Sequence, residues 1–224
     1  MIIDYELLPA GGTALRYRVD TERPISQGDA DSPAWTALEY SQCPNCPYAG
    51  SHCPAALDVA PLVEALGAVV SHARMRVRVH SADRVIESEA DVQTVLSALL
   101  GLLLASSGCP ILNRLRGLAR IHLPFQSLEE TQFRLVGAWL LGRLGDAGQG
   151  GEAGDAGPLR PDFAELTRLM EAIGDVNYAF MQRLRAAARE DAGINALAML
   201  AAGALNVQVS LDDPLEGLGD YAIR

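Results

Sequence analysis

The sequence contains no lysine, so all 18 of its basic residues are arginine. Aromatic residues make up only 5% of the chain, and its core must therefore be built mainly from Leu, Val and Ala. Positive charge is not in excess either, because the formal net charge is −10 at pH 7. Dedicated nucleic-acid binders are usually basic, so this charge argues against that class of protein.

Long apolar runs are also missing. The most apolar stretch, residues 96–107, is too short to span a bilayer as a helix. The first residues lack the basic and apolar regions of a signal peptide. We therefore expect a soluble, cytoplasmic protein with no membrane partner. Its hydrophobic content of 49% is enough to build a packed core.

Alternating apolar residues predict two β-hairpins, at residues 2–19 and 74–89, and a short strand at residues 35–40. Helical patterns occupy much of the remaining chain. They predict helices at residues 54–67, 91–105, 111–120, 128–144, 162–184 and 194–205. This order predicts an α+β fold, in which a mainly helical C-terminal two-thirds packs on a small antiparallel sheet.

A segment with six glycines, residues 145–158, interrupts these helical patterns. Such a composition is typical of a linker or a loop. We therefore predict an α+β domain with the cysteine site at residues 1–144, and a helical segment packing on it at residues 159–224. The chain is more acidic after residue 144, since residues 145–224 contain 13 acidic residues against 6 arginines.

Each of the four cysteines, Cys43, Cys46, Cys53 and Cys109, is followed directly by proline. The first three lie within eleven residues, which chance does not readily explain. The Cys43-x-x-Cys46 spacing places two sulfurs on one side of a tight turn, as in zinc and iron–sulfur sites. In a cytoplasmic protein, clustered cysteines indicate metal binding or redox chemistry rather than structural disulfides.

Cys53 and Cys109 share a second feature, since each precedes a proline that suits the first turn of a helix. A sulfur at that position feels the positive end of the helix dipole and the unpaired N–H groups. Both effects favour the thiolate, which is the form that binds metals and acts as a nucleophile. We therefore expect both sulfurs to be activated.

Four sulfurs brought together would complete a tetrahedral zinc site or hold an iron–sulfur cluster. The Cys-Pro context favours iron, and the choice of cofactor between zinc and a cluster stays open. His52 and His122 are reserve ligands. If His52 takes the place of Cys109, that cysteine becomes a free, activated thiol. The alternative to all of these is that the cysteines are small buried core residues.

The segments Gln42–Pro47, His52–Pro54, Ser107–Pro110 and Ile121–Phe125 carry the sequences QCPNCP, HCP, SGCP and IHLPF. In these motifs the chain resembles an uncharacterised bacterial family, a domain of unknown function. The resemblance covers roughly residues 38–141. It implies that the four cysteines and His122 act as one unit, and it implies no activity.

Three functional hypotheses follow. The first is a metal-binding or iron–sulfur protein with Cys43, Cys46, Cys53 and Cys109 as ligands. The second is a thiol oxidoreductase or thiol-dependent enzyme with Cys109 as the nucleophile and His122 or Arg114 stabilising its thiolate. Arg114 and Arg120 are also candidates for an anion site, although a solvated helix face is the favoured explanation for them. The third is a non-catalytic interaction module, whose acidic C-terminal helices dock a protein partner. The sequence also leaves open whether the protein forms a homo-oligomer.

Overall fold

The computed structural model describes residues 1–9, 13–66, 70–150, 163–187 and residue 195. Four β-strands and five α-helices follow one another along this part of the chain. The strands are β1 (Ile2–Pro9), β2 (Leu15–Asp20), β3 (Arg74–His80) and β4 (Val85–Asp91). The helices are α1 (Pro54–Leu66), α2 (Val92–Ala105), α3 (Arg116–Arg120), α4 (Leu128–Gly150) and α5 (Ala164–Ala187).

The four strands form one antiparallel sheet in the order β2-β1-β3-β4. Its two hairpins are joined through the central pair, in which Tyr5 lies opposite Val79. The predicted α+β fold is confirmed, and so are the two hairpins. Part of the turn of the first hairpin, residues 10–12, lies outside the described residues.

The two faces of the sheet differ in the way that the alternating sequence of β3 predicts. Met75, Val77 and Val79 point into the core and are almost fully buried. Arginines lie between them on the opposite face, where Arg78 pairs with Glu87 of β4 at 2.6 Å. Helices therefore cover only the apolar side of the sheet, and the other side carries paired charges.

Local signals in the sequence set several helix ends. Asp91 caps α2, because its Oδ1 accepts a hydrogen bond of 3.0 Å from the Thr94 N–H. Before α4, the Ser127 N–H donates to Glu130 at 2.6 Å and the Glu130 N–H donates to Ser127 Oγ at 3.1 Å. This reciprocal pair is the capping box that the sequence predicts.

The helix predicted at residues 54–67 forms as α1, and Pro61 lies inside it without ending it. Two local predictions are wrong. Residues Ala34–Thr36 form a short 3-10 turn instead of a strand, because the Thr36 hydroxyl donates to the Pro33 carbonyl oxygen at 2.7 Å. The single helix expected at residues 111–120 is divided into a 3-10 turn, Leu112–Leu115, and the short helix α3.

The helix α4 continues to Gly150, six residues beyond its predicted end, so the start of the predicted linker is helical. The remainder of that linker lies outside the described residues. The same is true of the helix predicted at residues 194–205, apart from residue 195. Apolar side chains of α5, including Leu166, Phe180 and Leu184, belong to the same buried core as the sheet. The division into two domains stays a prediction. Among the described helices, none combines the length and apolarity that a membrane span requires.

Candidate functional site

The first three cysteines lie in a loop whose two ends are fastened together. The Cys53 N–H donates to the Thr36 carbonyl oxygen at 2.8 Å, and the Leu38 N–H donates to the Ser51 carbonyl oxygen at the same distance. Within the loop, the Cys46 N–H donates to the Cys43 carbonyl oxygen at 3.1 Å, which closes the tight turn that the spacing predicts. The three sulfurs therefore belong to one closed loop.

This loop is also attached to α5. The side-chain amide of Asn45, between the first two cysteines, donates to the carbonyl oxygen of Ala172 at 3.0 Å. The Oδ1 atom of Asn45 is buried and has no hydrogen-bond partner among the described residues. A buried acceptor without a partner is uncommon in folded proteins, and here it lies beside the cysteine pair.

Cys53 and Cys109 occupy similar positions at the start of helical turns. Cys53 directly precedes α1, and its carbonyl oxygen accepts a hydrogen bond from the Leu57 N–H at 3.0 Å. The carbonyl oxygen of Cys109 accepts one from the Asn113 N–H at 2.8 Å. Backbone N–H groups of the following turn also bond to each cysteine and lower the pKa of its thiol. These groups belong to Ala55 and Ala56 at Cys53, and to Ile111 and Leu112 at Cys109.

The structure brings Cys109 to the same region as the other three cysteines. Burial, followed by the charges of Cys53, Cys46 and Cys109, raises the pKa of the Cys43 thiol to about 12. Such charge effects weaken with distance, so the sulfur of Cys109 is within electrostatic range of the loop cysteines. The prolines that follow Cys46 and Cys109 also line one cavity of about 200 Å³.

The described residues do not form a closed metal-binding cluster. Among them, no group of three or more His, Cys, Asp or Glu side chains is arranged to hold a metal ion. The four cysteines are all free thiols. In this arrangement the sulfurs are close enough to influence one another, but a metal ion would require them to move closer together.

The thiols are less acidic than the helix positions suggest. Burial raises the pKa of Cys53 and of Cys109, and this effect outweighs the hydrogen bonds from the following N–H groups. Without a bound metal, Cys43, Cys53 and Cys109 are therefore protonated at neutral pH. The helix positions predict that the thiolates of Cys53 and Cys109 are favoured. For the metal-free protein this prediction is wrong, because burial removes water from the sulfurs and disfavours the charged form.

A buried arginine of α5 lies beside the cysteine loop. Arg183 is only 2% exposed, and its guanidinium donates hydrogen bonds to backbone carbonyl oxygens just before Cys43. These oxygens belong to Trp35 at 2.5 Å, Ala37 at 2.6 Å, Leu38 at 3.2 Å and Ser41 at 3.4 Å. The guanidinium carbon also lies 5.9 Å from the centre of the Tyr40 ring.

The charge of Arg183 has no carboxylate partner within the described residues. Burial lowers the pKa of its guanidinium, while negative charge on Cys53, Cys43 and Cys46 would raise it. Arg183 therefore lies close enough to the loop for charge on these sulfurs to act on it, and the hydrogen-bond acceptors of its guanidinium among the described residues are neutral carbonyl oxygens. A buried cation surrounded only by neutral groups is costly unless an anion lies nearby.

Sequence reasoning missed Arg183, although a signal was present. The buried side of α5 includes Val176, Phe180 and Leu184. Arg183 lies three residues after Phe180 and seven after Val176, so it shares the apolar face of the helix. A charged residue on an apolar face usually has a specific partner.

The other predicted site residues are already paired. Arg114 forms an ion pair of 3.1 Å with Glu165, and Arg120 binds Glu22 with distances of 2.8 and 3.2 Å. An anion site at these arginines, which stays a prediction, would require both pairs to open. His52 bonds to the hydroxyl of its neighbour Ser51 at 3.0 Å.

His122 is buried, and its ring is hydrogen-bonded to a tyrosine of the sheet. Its Nε2 is 2.5 Å from the hydroxyl of Tyr5 in the centre of the sheet. Burial and, to a lesser extent, the charge of Arg134 lower its pKa to about 4. His122 is therefore neutral at pH 7 and joins the sheet to the segment after α3.

Comparison with protein families matches residues 9–221 to DUF6901, a domain of unknown function. The chain belongs to the DUF6901 family. The predicted resemblance to a domain of unknown function is thus confirmed, and the matched region is wider than residues 38–141. It includes the cysteine loop, Cys109 and Arg183. Neither the curated proteins nor the solved structures contain a match to this DUF6901 chain.

Proposed function

We propose that this chain binds a metal ion or an iron–sulfur cluster through Cys43, Cys46, Cys53 and Cys109. The observation that supports the proposal best is the buried guanidinium of Arg183, which lies beside the cysteine loop and pairs with no described carboxylate. A zinc ion with four thiolates, or a cluster with four cysteine ligands, carries net negative charge. Such a centre would supply the anion that Arg183 lacks.

The donor set fits this group. Thiolates are soft ligands that select zinc and iron–sulfur clusters over magnesium or calcium. Three of the four thiols are protonated when no metal is bound, so metal binding would release protons and its affinity would rise with pH. Because the described residues form no closed cluster, binding would include a local rearrangement of the loop.

The thiol-enzyme hypothesis has weaker support. A nucleophilic cysteine needs a lowered pKa, whereas burial raises that of Cys109. Arg114 is paired with Glu165, and the Nε2 atom of His122 is bonded to Tyr5. These partners leave neither residue free to stabilise a thiolate.

Purification without oxygen, followed by elemental analysis and an absorption spectrum, tests the proposal. We expect either one zinc ion per chain, or iron with matching sulfide and a visible charge-transfer band. Replacing any one of the four cysteines by serine should lower the bound metal strongly, and C109S should do so as much as C46S. The matched control is Ser81→Ala, which removes an exposed hydroxyl in the turn between β3 and β4 and leaves all four sulfurs in place.

A protein that contains no metal after this purification, and takes up neither zinc nor iron with sulfide, would overturn the proposal. Full metal content in C109S would instead limit the site to the loop cysteines. Rapid alkylation of Cys109 in the native wild type would favour the thiol-enzyme hypothesis, because a buried protonated thiol reacts slowly.

A further inference from the structure

A second cavity, of about 590 Å³, lies on the helical side of the molecule, away from the proposed metal ligands. Its walls come from α2, α4, α5 and the segment that includes α3, and most of the lining side chains are apolar. Leu102, Leu135, Met170 and Ile173 are among them. Leu128 at the wall is 42% exposed, so the cavity reaches solvent. Its size lies within the range of about 300–1,000 Å³ that is typical of small-molecule sites.

Asn177 is a polar residue in this wall. It is only 4% exposed, and its side-chain amide makes no hydrogen bond with the described residues. Buried amides in folded proteins almost always have a partner. The remaining exposure of Asn177 is therefore best explained by an amide that faces the cavity, where a bound molecule could pair with it.

Arg134 places a positive charge in the same wall. Its guanidinium donates to the side-chain oxygen of Gln126 at 2.7 Å and to the backbone oxygen of Ile121. Both acceptors are neutral, and no described carboxylate forms an ion pair with it. Glu130 exerts a favourable charge effect on Arg134, but its carboxylate accepts a hydrogen bond from the Ser127 N–H.

From these features we infer that the cavity binds a small amphiphilic carboxylate, such as a medium-chain fatty acid. The hydrocarbon part of the ligand packs against the leucine, isoleucine and methionine side chains. The carboxylate pairs with Arg134, because a charge-assisted hydrogen bond to a guanidinium is stronger than one to a neutral donor. Asn177 provides a further hydrogen bond to a polar atom of the ligand. The binding site is independent of the proposed metal centre.

Titration calorimetry with octanoate and with its uncharged counterpart 1-octanol tests this inference on the full chain. We expect the wild type to bind octanoate at least about tenfold more tightly than octanol, as expected for a charged hydrogen bond in place of a neutral one. Arg134→Gln should remove this preference and leave octanol binding nearly unchanged. Arg143→Gln is the matched control, because Arg143 lies on the same helix and does not line the cavity.

Two further variants locate the site without altering its charge. Ala98→Leu fills part of the cavity from α2 and should abolish binding of both probes. Asn177→Leu should weaken octanoate binding about threefold or more, since one hydrogen bond is lost. Circular dichroism confirms that each variant is folded. No octanoate binding by the wild type would overturn the inference, as would equal affinity for the two probes or unchanged binding in Ala98→Leu.

Discussion

At the scale of single residues, Arg183 holds in place the backbone that leads to Cys43 in the first part of the cysteine loop. Its planar guanidinium has five N–H donors in a fixed fork, and here they reach four carbonyl oxygens. A lysine at this position could not make the same set of bonds, because its ammonium has three donors on a flexible stem.

Arg183→Gln should destabilise the fold and weaken metal binding. The loss of several bonds from a charged donor to buried oxygens should lower the free energy of unfolding by about 2–4 kcal/mol. Urea denaturation followed by circular dichroism measures this change. Arg185→Gln is the control, since Arg185 lies on the exposed side of α5 and, within the part of the chain that the structure describes, bonds to Gln182 alone. Equal stability of the two variants would contradict the role of Arg183.

Gly108 is a second residue with an identifiable constraint, because it ends the turn after α2 with φ at +82°. A Cβ atom there would lie 2.6 Å from Cγ1 of Ile25. We expect Gly108→Ala to cost about 1–2 kcal/mol from the backbone alone, and more from the clash. Gly117→Ala in α3 meets nothing within 4 Å and should be neutral or stabilising. Thermal unfolding of both proteins compares the two changes, and a stable Gly108→Ala would refute the constraint.

At the scale of secondary-structure elements, β1 and the segment after α3 are joined by the Tyr5–His122 hydrogen bond. Tyr5 is fully buried in the centre of the sheet, and burial raises the pKa of its hydroxyl. The hydroxyl therefore stays neutral and needs a partner inside the protein. His122 is that partner. In the neutral ring, Nε2 either accepts a hydrogen bond from the Tyr5 hydroxyl or donates one to its oxygen, depending on the tautomer. The ring remains neutral above about pH 4.

Acid should weaken the fold through His122. The pKa of this group is about 4 in the folded state and lies near 6.5 in the unfolded chain, so the unfolded state binds more protons between these values. The contribution of His122 to the free energy of unfolding should therefore be constant above pH 6.5. It should fall by roughly 3 kcal/mol as the pH drops from 6.5 to 4.

Denaturation in urea across this pH range, compared between the wild type and His122→Gln, isolates the contribution. The variant should lose most of the slope, whatever its stability at pH 7. His72→Gln serves as the control, because His72 is exposed and should leave the slope unchanged. A slope that survives in His122→Gln would show that other groups cause it.

The secondary structure shows which features a local sequence can predict. The bounds of β3 follow from strict alternation, and the start of α4 follows from the Ser127–Glu130 capping box. Residues Ala34–Thr36 could not be assigned in this way, because the carbonyl oxygens of Trp35 and of the next residue after the turn, Ala37, are bonded to Arg183, which lies almost 150 residues later in the chain. Their conformation depends on a distant partner.

The same limit applies to the candidate site. The Cys-Pro pairs predict the turn at Cys43 and the helical starts after Cys53 and Cys109. The approach of Cys109 to the loop depends on how α1 and α2 pack, which no local pattern specifies. The raised pKa values of the thiols depend on burial, which also follows only from the assembled core.

At the scale of the whole molecule, α5 completes both the core and the cysteine site. Leu166, Phe180 and Leu184 belong to the same buried cluster as the sheet. Ala172 and Arg183 of this helix hold the loop before and between the first two cysteines. The part of the chain before the glycine-rich segment is therefore incomplete without α5.

A protein ending at residue 158 should lose cooperative unfolding and most of the metal binding that we propose. Removing α5 would expose apolar side chains of the core and would free the cysteine loop. Urea denaturation and metal analysis, both compared with the full chain, measure these losses. A shortened protein that unfolds cooperatively with full metal content would support an independent domain at residues 1–144. It would also make the later helices available for testing as an interaction module.

The outer face of the sheet has a practical consequence. Its strands carry acidic and basic side chains that neutralise one another, as at Arg18 and Asp4, which are 2.7 Å apart. Exposed pairs of this kind contribute little to stability and can be replaced at small cost. An affinity handle or a spectroscopic label introduced at Glu87 would therefore lie on the outer face of the sheet, opposite the helices. Metal exchange and ligand entry could then be followed on the helical side without obstruction.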